Sequence, residues 1–201
     1  MKEYPNRTGL LKLKEEIEIA EKGKEILQDK IESLITLFFE YIRERGERRR
    51  YLEGLMIKAF EDLVILESLM GIVHVKADAF SIPEGSIKFD GKKVMGIKLP
   101  EFSWEPSKKG FQVLNVPVRF ERTKSNFEEI LRTVLEVGGM ENAIKILSEE
   151  IRKTRKIVNS LENYIIPAFR DQKRWIELRL EEFAREDLLR YKIVKRKLGL
   201  K

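Results

Sequence analysis

The sequence predicts a mainly α protein: a long antiparallel two-helix coiled coil formed by the N- and C-terminal segments, with a small β-hairpin insert in the middle. Two observations carry most of this. Apolar residues recur at heptad spacing over both ends of the chain, and four of the six prolines (Pro83, Pro100, Pro106 and Pro117) fall between those ends. A third is the charge fraction of 37%, against about 25% for an average globular domain. Paired helices expose more surface per residue than a globule and need more charge to solvate it.

The first helix is expected from Thr8 to Met70, with Asn6 or Thr8 as its cap and Gly71 as its stop. With Leu10 at heptad position a, the a places are Leu10, Ile17, Lys24, Ile31, Phe38, Arg45, Leu52 and Ala59. The d places are Leu13, Ala20, Leu27, Leu34, Tyr41, Arg48 and Leu55. Twelve of these fifteen are apolar, where a composition 42% hydrophobic would place about six. Heptads sustained this far argue for a coiled coil, and at 1.5 Å per residue the helix would run about 90 Å. "RERGERRR", Arg43 to Arg50, interrupts the stripe by putting Arg45 and Arg48 on the seam. Either these arginines snorkel out or pair with a glutamate across the seam, or the coil opens there to receive another protein of a complex.

In the middle segment the helical period is lost. "SIKFDGKKVMGIKL" places Asp90-Gly91 among β-forming residues, which predicts a hairpin turning at that dipeptide. "FQVLNVPVRF" reads as a further strand or an extended return. Three regions follow: 1–71 as the first long helix, 72–124 as the insert and 125–201 as the second.

The second helix is expected to start at Ser125, which with Glu128 forms a capping box. Gly138-Gly139 is expected to break or loosen it, since each glycine costs about 1 kcal/mol in a helix. Its stripe then runs through Ile144, Leu147, Ile151, Thr154, Val158, Leu161, Ile165 and Ala168. Beyond Trp175 the spacing drifts toward an eleven-residue repeat. Pro167 stands inside this helix, where proline costs about 3 kcal/mol and predicts a kink, held by packing of Ile165, Ile166 and Phe169 on the first helix.

Chemistry-bearing motifs are sparse. No cysteine is present, His74 is the lone histidine, and neither a P-loop nor GxGxxG occurs. Neighbouring glutamates stand beside basic residues, as on a solvated helix face. These features predict a protein without catalytic residues, cofactor or metal. A net charge of +6 permits a nucleic-acid partner without demanding one. The N-terminus lacks the apolar core of a signal peptide, and no apolar run approaches the ~20 residues of a membrane span. From pattern alone, a prefoldin-like chaperone component and a nucleic-acid-binding coil are alternatives. The basic end "YKIVKRKLGLK" argues against the chaperone's apolar tips.

Four segments resemble one family. They are "PNRTGLLKLKEEIEIAEKGKEILQDKIESLI" at the start, "KVMGIKLPEF" at Lys93–Phe102, "EEIRKTRKIVNSLENYIIPAF" at Glu149–Phe169 and "EFAREDLLRYKIVKRKL" at the end. Their order and spacing are similar to the D subunit of the archaeal A-type and V-type rotary ATPases. The resemblance implies a central-stalk shaft that transmits torque between the catalytic ring and the ion-translocating membrane sector. It implies three partners: the F subunit of the central stalk, the ring of catalytic A and regulatory B subunits, and a socket subunit. It also implies a peripheral place on the cytoplasmic side of the cell membrane. On that reading Arg45 and Arg48 face the F subunit. Arg190, Lys192, Lys195, Arg196 and Lys197 face the catalytic ring, and Pro167 bends the shaft.

Overall fold

The computed structural model describes residues 5–107 and 117–198. In chain order the elements are α1 (Arg7–Met70), α2 (Ile72–Phe80), β1 (Ser86–Val94), β2 (Ile97–Glu105), α3 (Val118–Ser160), a π-helical turn (Leu161–Ile165) and α4 (Ile166–Lys197). The chain divides into two compact units, residues 1–34 with 151–201 and residues 35–150.

In the first unit, α1 begins where Asn6 accepts the Gly9 backbone N–H through its Oδ1, the capping bond expected of an asparagine before a helix. The seam buries Leu13 and Leu34 of α1, with Thr154, Val158, Ile166 and Ile176 buried on the other side. The helices are antiparallel: Lys14 meets Glu177 at 3.9 Å, Glu21 meets Arg170 at 2.6 Å and Lys24 meets Glu162 at 3.7 Å. Of the fifteen heptad places assigned from sequence, all but Arg48 are buried or half-buried.

The π-turn corrects the expected course of the second helix. Val158 is buried and Leu161 half-buried as the spacing predicts, but Ile165 and Ala168 are exposed. Ile166, Phe169 and Ile176 take over the seam. The Ile166 N–H bonds the Leu161 carbonyl, five residues back instead of four, so one extra residue enters the turn and the stripe moves on by one. Pro167 follows at once. It has no N–H to give, and a wider turn relieves the clash of its ring with the carbonyl four residues back.

In the second unit the helix pairing is again antiparallel, through Arg45–Glu141, Arg48–Glu136 and the Tyr51–Glu129 hydrogen bond. Asp62 joins Asn126 and Arg122. Phe60 meets Phe127 edge-on, with ring centroids 5.7 Å apart. Buried Thr123 and Thr133 donate their hydroxyls to the carbonyls of Arg119 and Glu129, which satisfies them inside the helix.

Three boundaries differ from the sequence reading. The insert holds a helix, α2, whose Val75 joins Leu66 and Phe120 in a small core flanked by Leu63, Met70 and Ile82. Gly71, at φ 82°, makes the corner before it. The second long helix starts at Val118, so Ser125 and Glu128 are interior and Glu128 pairs with Lys124 instead of capping. The proposed strand residues 111–116 lie outside the described residues, while Val118–Phe120 are helical.

Gly138-Gly139 does not break α3. The β-hairpin supplies the reason. A Cβ on Gly139 would sit 3.4 Å from the Phe102 ring and 3.4 Å from the Pro100 carbonyl oxygen. Glycine lets β2 lie close against the helix, and that contact offsets its poor helix propensity.

The hairpin does not turn at Asp90-Gly91. Both residues lie within β1, opposite Glu101 and Pro100, and the ladder runs on to Val94–Ile97. The two-residue loop is Met95-Gly96, both at positive φ, 51° and 83°, the signature of a type I′ turn. A turn at Asp90 would forfeit the observed pairs Ile87–Trp104 and Phe89–Phe102, and with them the Lys88–Glu105 ion pair.

Candidate interaction surfaces

The polar flaw in the seam is closed by pairing across it. Arg45 Nη1 lies 3.3 Å from Glu141 and Arg48 Nη1 lies 3.6 Å from Glu136. The Arg45 Nε is buried and has no hydrogen-bond partner, so Arg45 is held in the seam at a cost and is only partly satisfied. In the same stretch Tyr51 donates its hydroxyl to Glu129, which raises the Tyr51 pKa by stabilising the neutral phenol. Arg48, Tyr51, Glu128, Glu129, Arg132 and Glu136 line a polar hollow of about 600 Å³.

The end of α4 is a second surface. Every residue from Glu181 to Leu198 is exposed. Leu188, Leu189, Tyr191, Ile193, Val194 and Leu198 are each more than half exposed. Arg190 pairs along its own helix with Glu186 and Asp187, and Lys195, Arg196 and Lys197 occupy the last turn, where they complement the helix dipole. Lys192 is exposed on the same stretch. Lys201 lies outside the described residues.

Sequence reasoning missed two apolar features of the second unit. The outer face of α1 exposes Met56, Ile57, Phe60, Val64 and Ile65 side by side. A cleft of about 580 Å³ opens between Leu66, Val75, Trp104, Phe120, Phe127 and Leu131. The signal for the first was present: "LMIKAFEDLVILESLM" carries apolar residues on more than one face, beyond what an a/d seam uses. The cleft was not legible, because it depends on α2 and on Trp104, whose ring has Arg132 stacked over it at 5.6 Å.

No group of three or more His, Cys, Asp or Glu is placed to hold a metal among the described residues. His74 is exposed on α2. Among the same residues no helix is long and apolar enough to cross a membrane.

These features define a class: an antiparallel two-helix coiled coil that carries a β-hairpin and leaves apolar and cationic helix faces uncovered. The family model for the ATP synthase D subunit matches residues 9–196, and the chain belongs to that family. It is 34% identical to the A-type ATP synthase D subunit of Thermococcus sibiricus, over 100% of this chain and 97% of that protein. It is 34% identical to that of Methanoregula boonei, over 95% and 94%, and 32% identical to that of Pyrococcus furiosus, over 97% and 94%.

Proposed function

We propose that this chain is the non-catalytic central-stalk component of a rotary A-type ATP synthase. It transmits torque between nucleotide chemistry in the catalytic ring and ion translocation in the membrane sector, and it needs no cofactor of its own. The observation that supports this reading best is the end of α4. Eighteen consecutive exposed residues carry an apolar side and a cationic last turn. Single exposed ion pairs are worth only about 0–1 kcal/mol. Such a helix end slides within an apolar, acidic collar without locking to one partner, as a turning shaft must. The collar is the ring of catalytic A and regulatory B subunits, met by Arg190, Lys192, Lys195, Arg196 and Lys197.

The F subunit binds the second unit near Arg45 and Arg48, where Arg45 is held in the seam with its Nε unpartnered. The hairpin end faces the socket subunit that joins the shaft to the membrane ring. The complex places the chain on the cytoplasmic side of the membrane as a peripheral component. On this reading the π-turn and Pro167 bend the shaft and make it eccentric, so that it favours one catalytic site at a time.

The test is truncation after Leu189 in a co-expressed complex. The F subunit is expected to stay bound while ring assembly weakens, or hydrolysis uncouples from ion pumping. Normal assembly at high salt with normal turnover and pumping would refute the reading.

A further inference from the structure

The π-turn stores one residue. The seam of α1 keeps a regular 3-4 spacing through the first unit, whereas the facing helix skips from Leu161 to Ile166. The ion pairs change step across the same stretch. From Lys14–Glu177 to Glu21–Arg170 the two helices advance in step, seven residues each. From Glu21–Arg170 to Lys24–Glu162, three residues of α1 face eight of the other helix.

An unbroken α-helix from Val158 would carry a different stripe: Leu161, Ile165, Ala168, Gln172, Trp175. Several of these are apolar, and Ile165 and Trp175 are already only 37% and 43% exposed. We propose that the π-turn and Pro167 form a register switch. The helix after Pro167 has a second seating on α1 in which Ile165, Ala168 and Trp175 take the seam places of Ile166, Phe169 and Ile176.

Three local forces set the balance. The observed seating buries Phe169 and Leu180 more fully than the other would bury Ala168 and Arg179, which favours it. The second seating restores regular α-helical bonding through 161–165. Pro167 opposes it, because in a regular turn its ring meets the Asn163 carbonyl and it has no N–H to offer. The second seating is therefore the minor state. A shift by one residue turns a helix about 100° on its axis, so the exposed face of residues 181–198 turns with it. The switch lies within the first unit and does not depend on which partners the chain has.

The chain lacks cysteine, so introduced pairs report the seating cleanly. Leu13 and Ile176 are 2% and 0% exposed and flank the Lys14–Glu177 pair. In the full-length protein, Leu13→Cys with Ile176→Cys is expected to cross-link rapidly under mild oxidation. Leu13→Cys with Trp175→Cys is expected to cross-link slowly. Adding Pro167→Ala removes the block, and the second pair is expected to cross-link about tenfold faster or more. Deleting Asn163 removes the stored residue, so the first pair should still form and the second should vanish. Circular dichroism checks that each variant stays helical; if the deletion unfolds the protein, the Pro167→Ala arm decides. A Trp175 pair unaffected by Pro167→Ala, or one that forms equally well in a folded deletion variant, overturns the switch.

Discussion

Gly139 lies against Phe102: a Cβ built there would stand 3.4 Å from the Phe102 ring and 3.4 Å from the Pro100 carbonyl oxygen, at the tight edge of van der Waals contact. Gly138, its neighbour, has open space where a side chain would be. The same dipeptide thus has one glycine that the hairpin uses and one that it does not. Gly138→Ala should stabilise α3 by about 0.5–1 kcal/mol through helix propensity alone. At about 2–4 °C per kcal/mol for a chain of this size, calorimetry resolves it. Gly139→Leu should leave α3 helical and lift the hairpin away, seen as a red shift and faster quenching of Trp104 fluorescence in a Trp175→Phe background. Unchanged Trp104 emission would show that the close approach does not hold the hairpin.

Leu34 is fully buried in the α1 seam. Leu34→Ala should cost about 2–5 kcal/mol. Leu34→Asp should cost more, since it buries a charge with no partner. Thermal unfolding followed by helicity measures both. Phe38 is only half-buried, so Phe38→Asp should be the milder change, and the reverse order would contradict the seam.

Replacing both Arg45 and Arg48 by leucine removes a buried donor without a partner and leaves Glu141 and Glu136 half-exposed. The isolated protein should gain about 1 kcal/mol or more, because apolar packing replaces an incompletely satisfied charge. Binding of the F subunit should weaken in the same variant. Unchanged affinity in a titration would leave the pairing across the seam as the whole role of these arginines.

Met95 holds a left-handed conformation at φ 51° in the hairpin loop, which costs a side chain with a Cβ about 1–2 kcal/mol. Met95→Asn or Met95→Gly should protect the β1–β2 amides from hydrogen exchange by about five- to tenfold, from the relief of that strain. The helix amides should not change. No gain in the hairpin would contradict the loop conformation.

Tyr41 titrates above the usual tyrosine value because of burial, with Glu101 and Glu44 adding to the shift. An acid whose folded pKa is raised holds its proton more tightly when folded. Its contribution is complete below the ordinary value of 10.0 and is lost as pH rises through the raised folded value. Stability should therefore fall on the alkaline side of pH 10. Tyr41→Phe should flatten that limb of the melting profile, and Glu101→Gln should flatten it in part. An identical alkaline limb in Tyr41→Phe would remove Tyr41 as its source.

The sequence by itself determined the two long helices, their antiparallel pairing and the seam residues from Leu10 to Ala59. Heptad periodicity is a local signal repeated many times, so single errors do not displace it. It also determined that a hairpin lies between the helices. Where that hairpin turns was decided by the tertiary structure: Asp90-Gly91 is the stronger local turn signal, but nine cross-strand pairs with matched aromatics place the loop at Met95-Gly96. The same holds for Gly138-Gly139, whose helical cost is offset by Phe102 and Pro100 from a distant segment. Helix α2 was hidden because its nine residues bury one side chain, Val75, into a core assembled from α1 and α3. Pro167 marked the interruption in the second helix. That the interruption is a one-residue π insertion was decided by the tertiary structure: the wider turn relieves the Pro167 ring, and it brings Ile166, Phe169 and Ile176 into the seam, a choice that depends on which side chains fill the facing places.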